Sequence, residues 1–252
     1  MIEIQEKANT IPQELSIAEI RKYTKEAAPL IHCITNPISI HDCANIILAA
    51  GARPIMAEHP AEVAEITAVA SALMLNLGNI TDARIESIQR ALKEANRRKI
   101  PVLLDLVGVT CSSLRREFAR KLLADGRFAV IKGNISEILA AADLPFHGTG
   151  IDAGSQDAIS QANEASYCTT AKKLAEHLGC TVMATGKLDL IADRHQAFLI
   201  ANGHAALSGI TGTGCMVGAL TAAYLPASVA LAFAGIPAAL LAAITMGISG
   251  EH

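Results

Sequence analysis

PLIHCITNPISIHDCANIILAAG, residues 29–51, decides the fold class. Pro29 to Ile34 is a short apolar run bounded by Thr35-Asn36-Pro37, which are turn formers, so it reads as a strand entering a turn. Ile38 to Ala50 then follows a helical pattern that stops at Gly51, a residue suited to ending a helix. The unit is strand, turn, helix.

A helix precedes this stretch, and the same unit recurs after it. Upstream, Ser16-Ile-Ala-Glu19 has the spacing of a capping box, with Ile17, Ile20, Tyr23 and Ala27 on one helical face. Downstream, Ala72–Leu77 is strand-like, Ile80–Arg98 is helical with a cationic end that complements its dipole, and Pro101–Val107 is again strand-like. Leu114–Ala124 reads as a helix and Phe128–Ile131 as a strand. A helix starts near Ser136, a Gly- and Asp-rich loop lies around 147–157, and a long helix runs to Leu178 with Gly179 as its stop. Thr181–Ala184 reads as a strand. Asp189–Ala192 and Gln196–Ile200 flank Asp193-Arg194-His195 as an antiparallel hairpin, which makes the sheet mixed at one edge. Strands alternating with helices of this length predict an α/β fold with a mainly parallel sheet covered on both faces and ligands beyond the carboxyl ends of the strands. With no repeat, linker or low-complexity segment, residues 1–252 are expected to form one domain.

Composition narrows the function classes. Apolar residues make up 51% of the 252 and charged ones 18%, so much of the chain must be packed inside, some of it between subunits. A net charge of -3 and the absence of Trp argue against nucleic acid as a partner. The first residues, MIEIQEKANT, lack the pattern of a secretory signal, which points to the cytoplasm. Between Gly218 and Gly250 the chain is strongly apolar, but Pro226 and Pro237 break it into what read as two buried helices rather than a membrane span. Six cysteines, at 33, 43, 111, 168, 180 and 215, show no C-x-x-C pair and fit reduced thiols better than disulfides or a zinc site.

Chemistry is sought in the loops that follow strands. Thr211-Gly-Thr-Gly-Cys215 opens the helical pattern Met216–Tyr224. Glycines there let the backbone approach a ligand, and the free N–H groups of a helix start form an anion site for a transferring phosphate. Cys215 at the same positive end is expected to have a lowered pKa, able to accept or orient a hydroxyl proton. The alternative is a tight turn followed by a core cysteine. Asn134-Ile-Ser-Glu137 sets an amide and a carboxylate three residues apart on one helical face, hard donors that suit Mg²⁺, with Lys132 as a phosphate contact. The alternative here is ordinary N-capping by Asn134 or Ser136. Asp105 ends the Val102-Leu103-Leu104 strand, where open sheets place functional acids and where simple turn residues also occur. His32 and His41 flank the expected entrance, but their spacing forms no metal site, and neutral histidines often fill hydrogen-bonded niches.

Taken together, Ile31-His-Cys-Ile-Thr-Asn36, Lys132-Gly-Asn-Ile-Ser-Glu137, Ala184-Thr-Gly186 and Gly212-Thr-Gly-Cys215 resemble, in order and spacing, the hydroxyethylthiazole kinase family of thiamine salvage. The resemblance runs from about Pro29 to Gly250. It implies a ribokinase-like three-layer α/β/α fold, with ATP and Mg²⁺ as cofactors and 5-(2-hydroxyethyl)-4-methylthiazole as the acceptor. It also implies a homotrimer with active sites between subunits. By the same resemblance, Cys215 stands where related sugar kinases carry a catalytic Asp, and Gly212, Thr213 and Gly214 form the catalytic anion hole, with Gly212 bordering the thiazole. Met56 and Asn36 line the substrate pocket, Lys132, Thr185 and Thr211 contact the nucleotide, and Asp105 and Glu137 organise magnesium. Two departures stand out. Lys132 replaces an Arg, keeping charge but losing the planar fork. Leu106-Val-Gly-Val-Thr110 replaces Pro-Val-Gly-Val/Ala-Gly, a change expected to move Asp105 or its loop. A kinase of another small primary alcohol and a non-catalytic ligand-binding trimer derived from the kinase are the rival readings. An NAD oxidoreductase ranks below them, since Gly212-Thr-Gly214 comes late and lacks the early glycine fingerprint.

Overall fold

The computed structural model describes residues 4–5, 17–148 and 153–251. In chain order these hold β1 (Ile4–Gln5), α1 (Ile17–Ala27), β2 (Leu30–Ile34), α2 (Ile40–Ala49), β3 (Arg53–Ile55), α3 (Val63–Val69), β4 (Ala72–Asn76), α4 (Asp82–Arg98) and β5 (Val102–Asp105). Then come α5 (Ser113–Asp125), β6 (Val130–Asn134), α6 (Ile135–Ala141), α7 (Glu164–Leu178), β7 (Thr181–Thr185), β8 (Asp189–Ala192), β9 (Ala197–Ile200), α8 (Thr213–Ala230) and α9 (Ile236–Glu251).

The strands form one sheet in the order β1-β9-β8-β7-β6-β5-β4-β2-β3. The pairs from β3 to β7 are all parallel, and those joining β7, β8, β9 and β1 are antiparallel, which is the mixed edge expected from the hairpin. Side chains alternate along each strand, so every strand feeds two cores. Ile31, Cys33, Met74, Leu103, Val130 and Met183 pack under α1, α2, α8 and α9. Ile34, Leu73, Leu75, Leu104, Ile131 and Val182 pack under α4 to α7. Three layers result.

Several boundaries differ from the sequence reading for identifiable reasons. β3 and α3 were not anticipated. They are only 3 and 7 residues long, too short for a periodicity to register, and Pro54 is tolerated because β3 is an edge strand. Pro226 does not break the apolar C-terminal stretch but sits inside α8. The break falls later, where Ala232 adopts φ +63° and the Phe233 N–H donates to the Ser228 carbonyl at 2.8 Å. α8 is 18 residues long and apolar enough to cross a membrane, yet 67% of it is buried inside the fold, so its hydrophobicity is consumed by the core. Its close seating depends on Gly218, where a Cβ would lie 2.9 Å from Met74 Cε. Ser16 of the expected capping box, and residues 149–152 of the expected loop, lie outside the described residues.

Candidate active site

Asn76 and Asp105 end β4 and β5 and stand side by side with Lys132 in the middle of β6, with Asn76 paired to Asp105 and Asp105 to Lys132 in the parallel register. Each lies two residues beyond an apolar side chain, Met74, Leu103 or Val130, that packs on the α8 side. The pleat therefore turns all three polar groups toward α8. They are buried, and they bond to one another. Lys132 Nζ lies 3.3 Å from both Asp105 oxygens, and Asn76 Nδ2 donates to Asp105 Oδ2 at 3.1 Å.

The start of α8 sits over this row. Gly212 is its N-cap at φ +91°, a left-handed conformation that disfavours any residue with a Cβ. The first helical bond runs from the Met216 N–H to the Gly212 carbonyl at 2.9 Å, so the N–H groups of Thr213, Gly214 and Cys215 precede the ladder and are donors of the kind that can receive an anion. Lys132 belongs to the same feature, because its Nζ would be 3.3 Å from a Cβ at Gly214. Thr213 spends its hydroxyl on the preceding loop, donating to the Leu207 carbonyl at 3.1 Å, which leaves its backbone N–H for a ligand. Thr211 is exposed at the entrance to the turn.

Cys215 Sγ accepts hydrogen bonds from Asn36 Nδ2 and Asn76 Nδ2, each at 3.3 Å. Residue 215 is buried but keeps 7% of its surface exposed, while Asn76 and Asp105 beneath it keep none. The expected lowering of its pKa is overturned. Burial, and after it the Asp105 charge, push the thiol above its ordinary value against the opposing pull of Lys132, Ser39 and Asn76. Desolvation outweighs a helix-end effect that is worth only about 1 kcal/mol.

The Asn134 and Glu137 pair takes the capping alternative. Asn134 Oδ1 accepts from the Glu137 N–H at 2.9 Å and Glu137 Oε2 accepts from the Asn134 N–H at 2.7 Å, a reciprocal cap of α6 rather than two groups aimed at one ion. Glu137 Oε1 takes the Gly108 N–H at 2.7 Å. Burial raises the Glu137 pKa to about 7; Lys132 opposes that rise and Asp105 adds to it. Burial likewise raises Asp105, against the Lys132 charge. Lys132 is lowered by burial, but Asp105, Cys215 and Glu137 more than reverse this and keep it charged. The substitution of Leu106 for proline leaves Asp105 on the row. The Leu106 N–H, which a proline would lack, donates to the Lys132 carbonyl at 2.7 Å.

Asn36 is brought into the cluster by the turn after β2, its Oδ1 accepting the N–H groups of Ile38 and Ser39 at 3.1 and 3.2 Å. Met56 follows β3 and is half-buried against the α8-side core. Thr185 ends β7 and donates to the Gly133 carbonyl at 3.3 Å, so it lies beside β6 at the same edge of the sheet as Lys132. Two residues escaped the sequence reading. Asn76 is central to the cluster, and a polar residue ending the apolar run Ala72–Leu75 was the available signal, the same one that exposed Asp105. Asp189 closes the turn carrying Thr185 by accepting the Gly186 N–H at 2.9 Å, and burial raises its pKa to about 6.

Residues 21–251 match the model of the Hydroxyethylthiazole kinase family. Hydroxyethylthiazole kinase 2 of Clostridium botulinum strain 657 is 47% identical over 233 residues, covering 92% of this chain and 86% of the relative. The solved structure of hydroxyethylthiazole kinase protein from Pyrococcus horikoshii OT3 superposes with a TM-score of 0.80 at 31% identity, covering 93% of this chain and 84% of that one. A ribokinase-like superfamily protein from Enterococcus faecalis V583 shares the fold at a TM-score of 0.62 and 12% identity, covering 97% of this chain and 90% of its own.

Proposed function

As the chain belongs to the hydroxyethylthiazole kinase family, we propose that it transfers the γ-phosphate of ATP to the hydroxyl of 5-(2-hydroxyethyl)-4-methylthiazole. The observation that carries the reading is the stacking of the turn 212–215, whose Cys215 thiol faces two amide donors, over a row that holds one cation. Phosphoryl transfer asks mainly for positioning and charge neutralisation, and that is what this arrangement supplies.

In the proposed mechanism the N–H groups of Thr213, Gly214 and Cys215 receive the migrating phosphoryl oxygens, and Lys132 turns from Asp105 to share their charge. Cys215 stays protonated near neutrality, as its raised pKa implies, and orients the acceptor hydroxyl by hydrogen bonding instead of removing its proton beforehand. Asn36 and Met56 bound the thiazole, and Thr185 and Thr211 contact the nucleotide. The donor set suits magnesium, since Asp105 and Glu137 offer hard oxygens with lone pairs to spare and face a single lysine, so a divalent cation would balance the surplus negative charge. Bound by those two acids, magnesium would supply charge neutralisation on the ATP phosphates.

The proposal extends to a homotrimer of single-domain chains with sites between subunits. Ile38 and Ile210, 63% and 57% exposed, flank the Ser39–Gly212 contact and support it as apolar surface at the mouth of the site. Sedimentation gives the oligomer. The function is tested by measuring ATP consumption against a panel of thiazole alcohols, sugars and other primary alcohols. Phosphorylation of the thiazole alcohol with the highest kcat/KM is expected. A preference for another alcohol would overturn the acceptor, and thiazole binding with no ATP turnover on any acceptor would overturn the kinase.

A further inference from the structure

We infer that Asn76 is a positioning residue for the phosphoryl transfer, holding the Cys215 sulfur in place and tying it to the Asp105 carboxylate through one amide; the inference rests on the kinase reading above.

Every hydrogen-bonding valence of this side chain is used. Its two N–H groups go to Asp105 Oδ2 at 3.1 Å and Cys215 Sγ at 3.3 Å, and its oxygen accepts from Asn36 Nδ2 at 3.1 Å and the Gly78 N–H at 2.9 Å. The orientation of the amide follows from its partners. The Gly78 N–H can only donate, so it must meet Oδ1, and an ionised Asp105 can only accept, so it must meet Nδ2. No other side chain of this size offers two donors and two acceptors in a plane. Aspartate has no donor when ionised, and serine has one.

The consequence falls on the sulfur. Asn36 is itself held by the backbone N–H groups of Ile38 and Ser39, and it supplies the second N–H to Cys215. With two amides donating to it from the strand ends, Sγ can direct its own hydrogen only away from them. The Ser39 side chain is its other hydrogen-bond partner, so the thiol hydrogen is left for Ser39 or for an arriving acceptor hydroxyl. Asn76 also stands between two groups that repel in their charged forms, meeting each with a separate hydrogen. It is in lateral register with Asp105 on the neighbouring strand and fully buried, so its own position is set by the sheet rather than by a loop. A residue that merely filled the core would need none of these polar contacts.

A double-mutant cycle on turnover separates positioning from packing. Asn76→Ser in the parent protein is expected to lower kcat on the order of 10- to 100-fold while KM for ATP stays within about threefold, because the nucleotide is held elsewhere. In a Cys215→Ala background, assayed by single-turnover transfer from radiolabelled ATP, the same substitution is expected to change the rate by less than about threefold, since the group it positions is gone. Asn76→Asp retains the oxygen arm to Asn36 and Gly78 and loses the donors. It is expected to lose kcat at least as strongly as Asn76→Ser, since it also sets a second acid beside Asp105. Multiplicative losses in the cycle, an unchanged kcat in folded Asn76→Ser, or failure of both Asn76 variants to fold would overturn the inference and leave Asn76 a structural residue. A parent protein that phosphorylates no alcohol would refute the kinase reading instead, before any variant is made.

Discussion

Beneath the start of α8, Asn36, Asn76, Asp105, Lys132 and Cys215 gather charges of both signs around a buried sulfur, whereas on the opposite face of β2 His32, Thr67 and the Ala57 carbonyl form a closed neutral set. Both clusters are buried and both are hydrogen-bonded. In the second, Nε2 of His32 must donate to the Ala57 carbonyl at 2.9 Å, which leaves Nδ1 to accept the Thr67 hydroxyl at 2.8 Å. The ring is fully satisfied and burial keeps its pKa below the ordinary value. Nothing remains for a substrate. The first cluster, by contrast, holds carboxylates whose pKa is raised by burial, a lysine shared between acids, and a helix start with N–H groups to spare. A polar cluster that stabilises a fold ends with its valences matched, and one that does chemistry keeps charge and donors in reserve.

The comparison is tested most severely at Lys132. Lys132→Met strands Asp105 without its counter-charge and is expected to cost about 3 kcal/mol of stability, read as a lower denaturation midpoint, along with nearly all turnover. Retention of both would mean the pair is ornamental. Next, Cys215→Ala should lower kcat on the order of 100-fold while equilibrium ATP binding holds, because in the proposed mechanism the thiol orients the acceptor and the amides hold the phosphate. Full turnover in that variant would move the chemistry away from the sulfur.

The neutral cluster should behave differently. Thr67→Val removes the hydroxyl that His32 accepts from and should cost about 1 kcal/mol in chemical denaturation, with kcat within about twofold of the parent. A matching fall in kcat would join the two clusters functionally. The smallest effect concerns pH. His32 takes up its proton at a lower pH in the folded protein than in the unfolded chain, whose ordinary value is 6.5, so its stabilising contribution is complete above that pH. It is lost as pH falls from there toward the depressed folded value, by a few tenths of a kcal/mol at first. His32→Gln should flatten this slope between pH 7 and 5. An unchanged slope would assign the acid sensitivity to other groups.

Much of this was readable before the fold was known. The alternation of short apolar runs with helical patterns placed β2, the strands from β4 to β9 and the helices between them other than α3, and Thr211-Gly-Thr-Gly-Cys215 marked the start of α8. The hairpin around Asp193-Arg194-His195 and the family resemblance were legible as well. Asn134 and Glu137 show where the reading ran out, since three-residue spacing is the same for a cap and for an ion site and only the bond partners distinguish them. β3 and α3 were missed because segments of that length carry no period. Pro226 misled because a proline's cost to a helix is weighed against burial that a local window does not contain.

The sequence by itself determined the layered α/β architecture and the identity of the chemical groups, because side-chain periodicity and glycine placement act over a few residues. Tertiary structure alone decided that Asn76, Asp105 and Lys132 would share one face under Cys215, and that the thiol's pKa would rise and not fall. Register between strands and depth of burial arise from contacts among segments distant along the chain, and electrostatics depends on both.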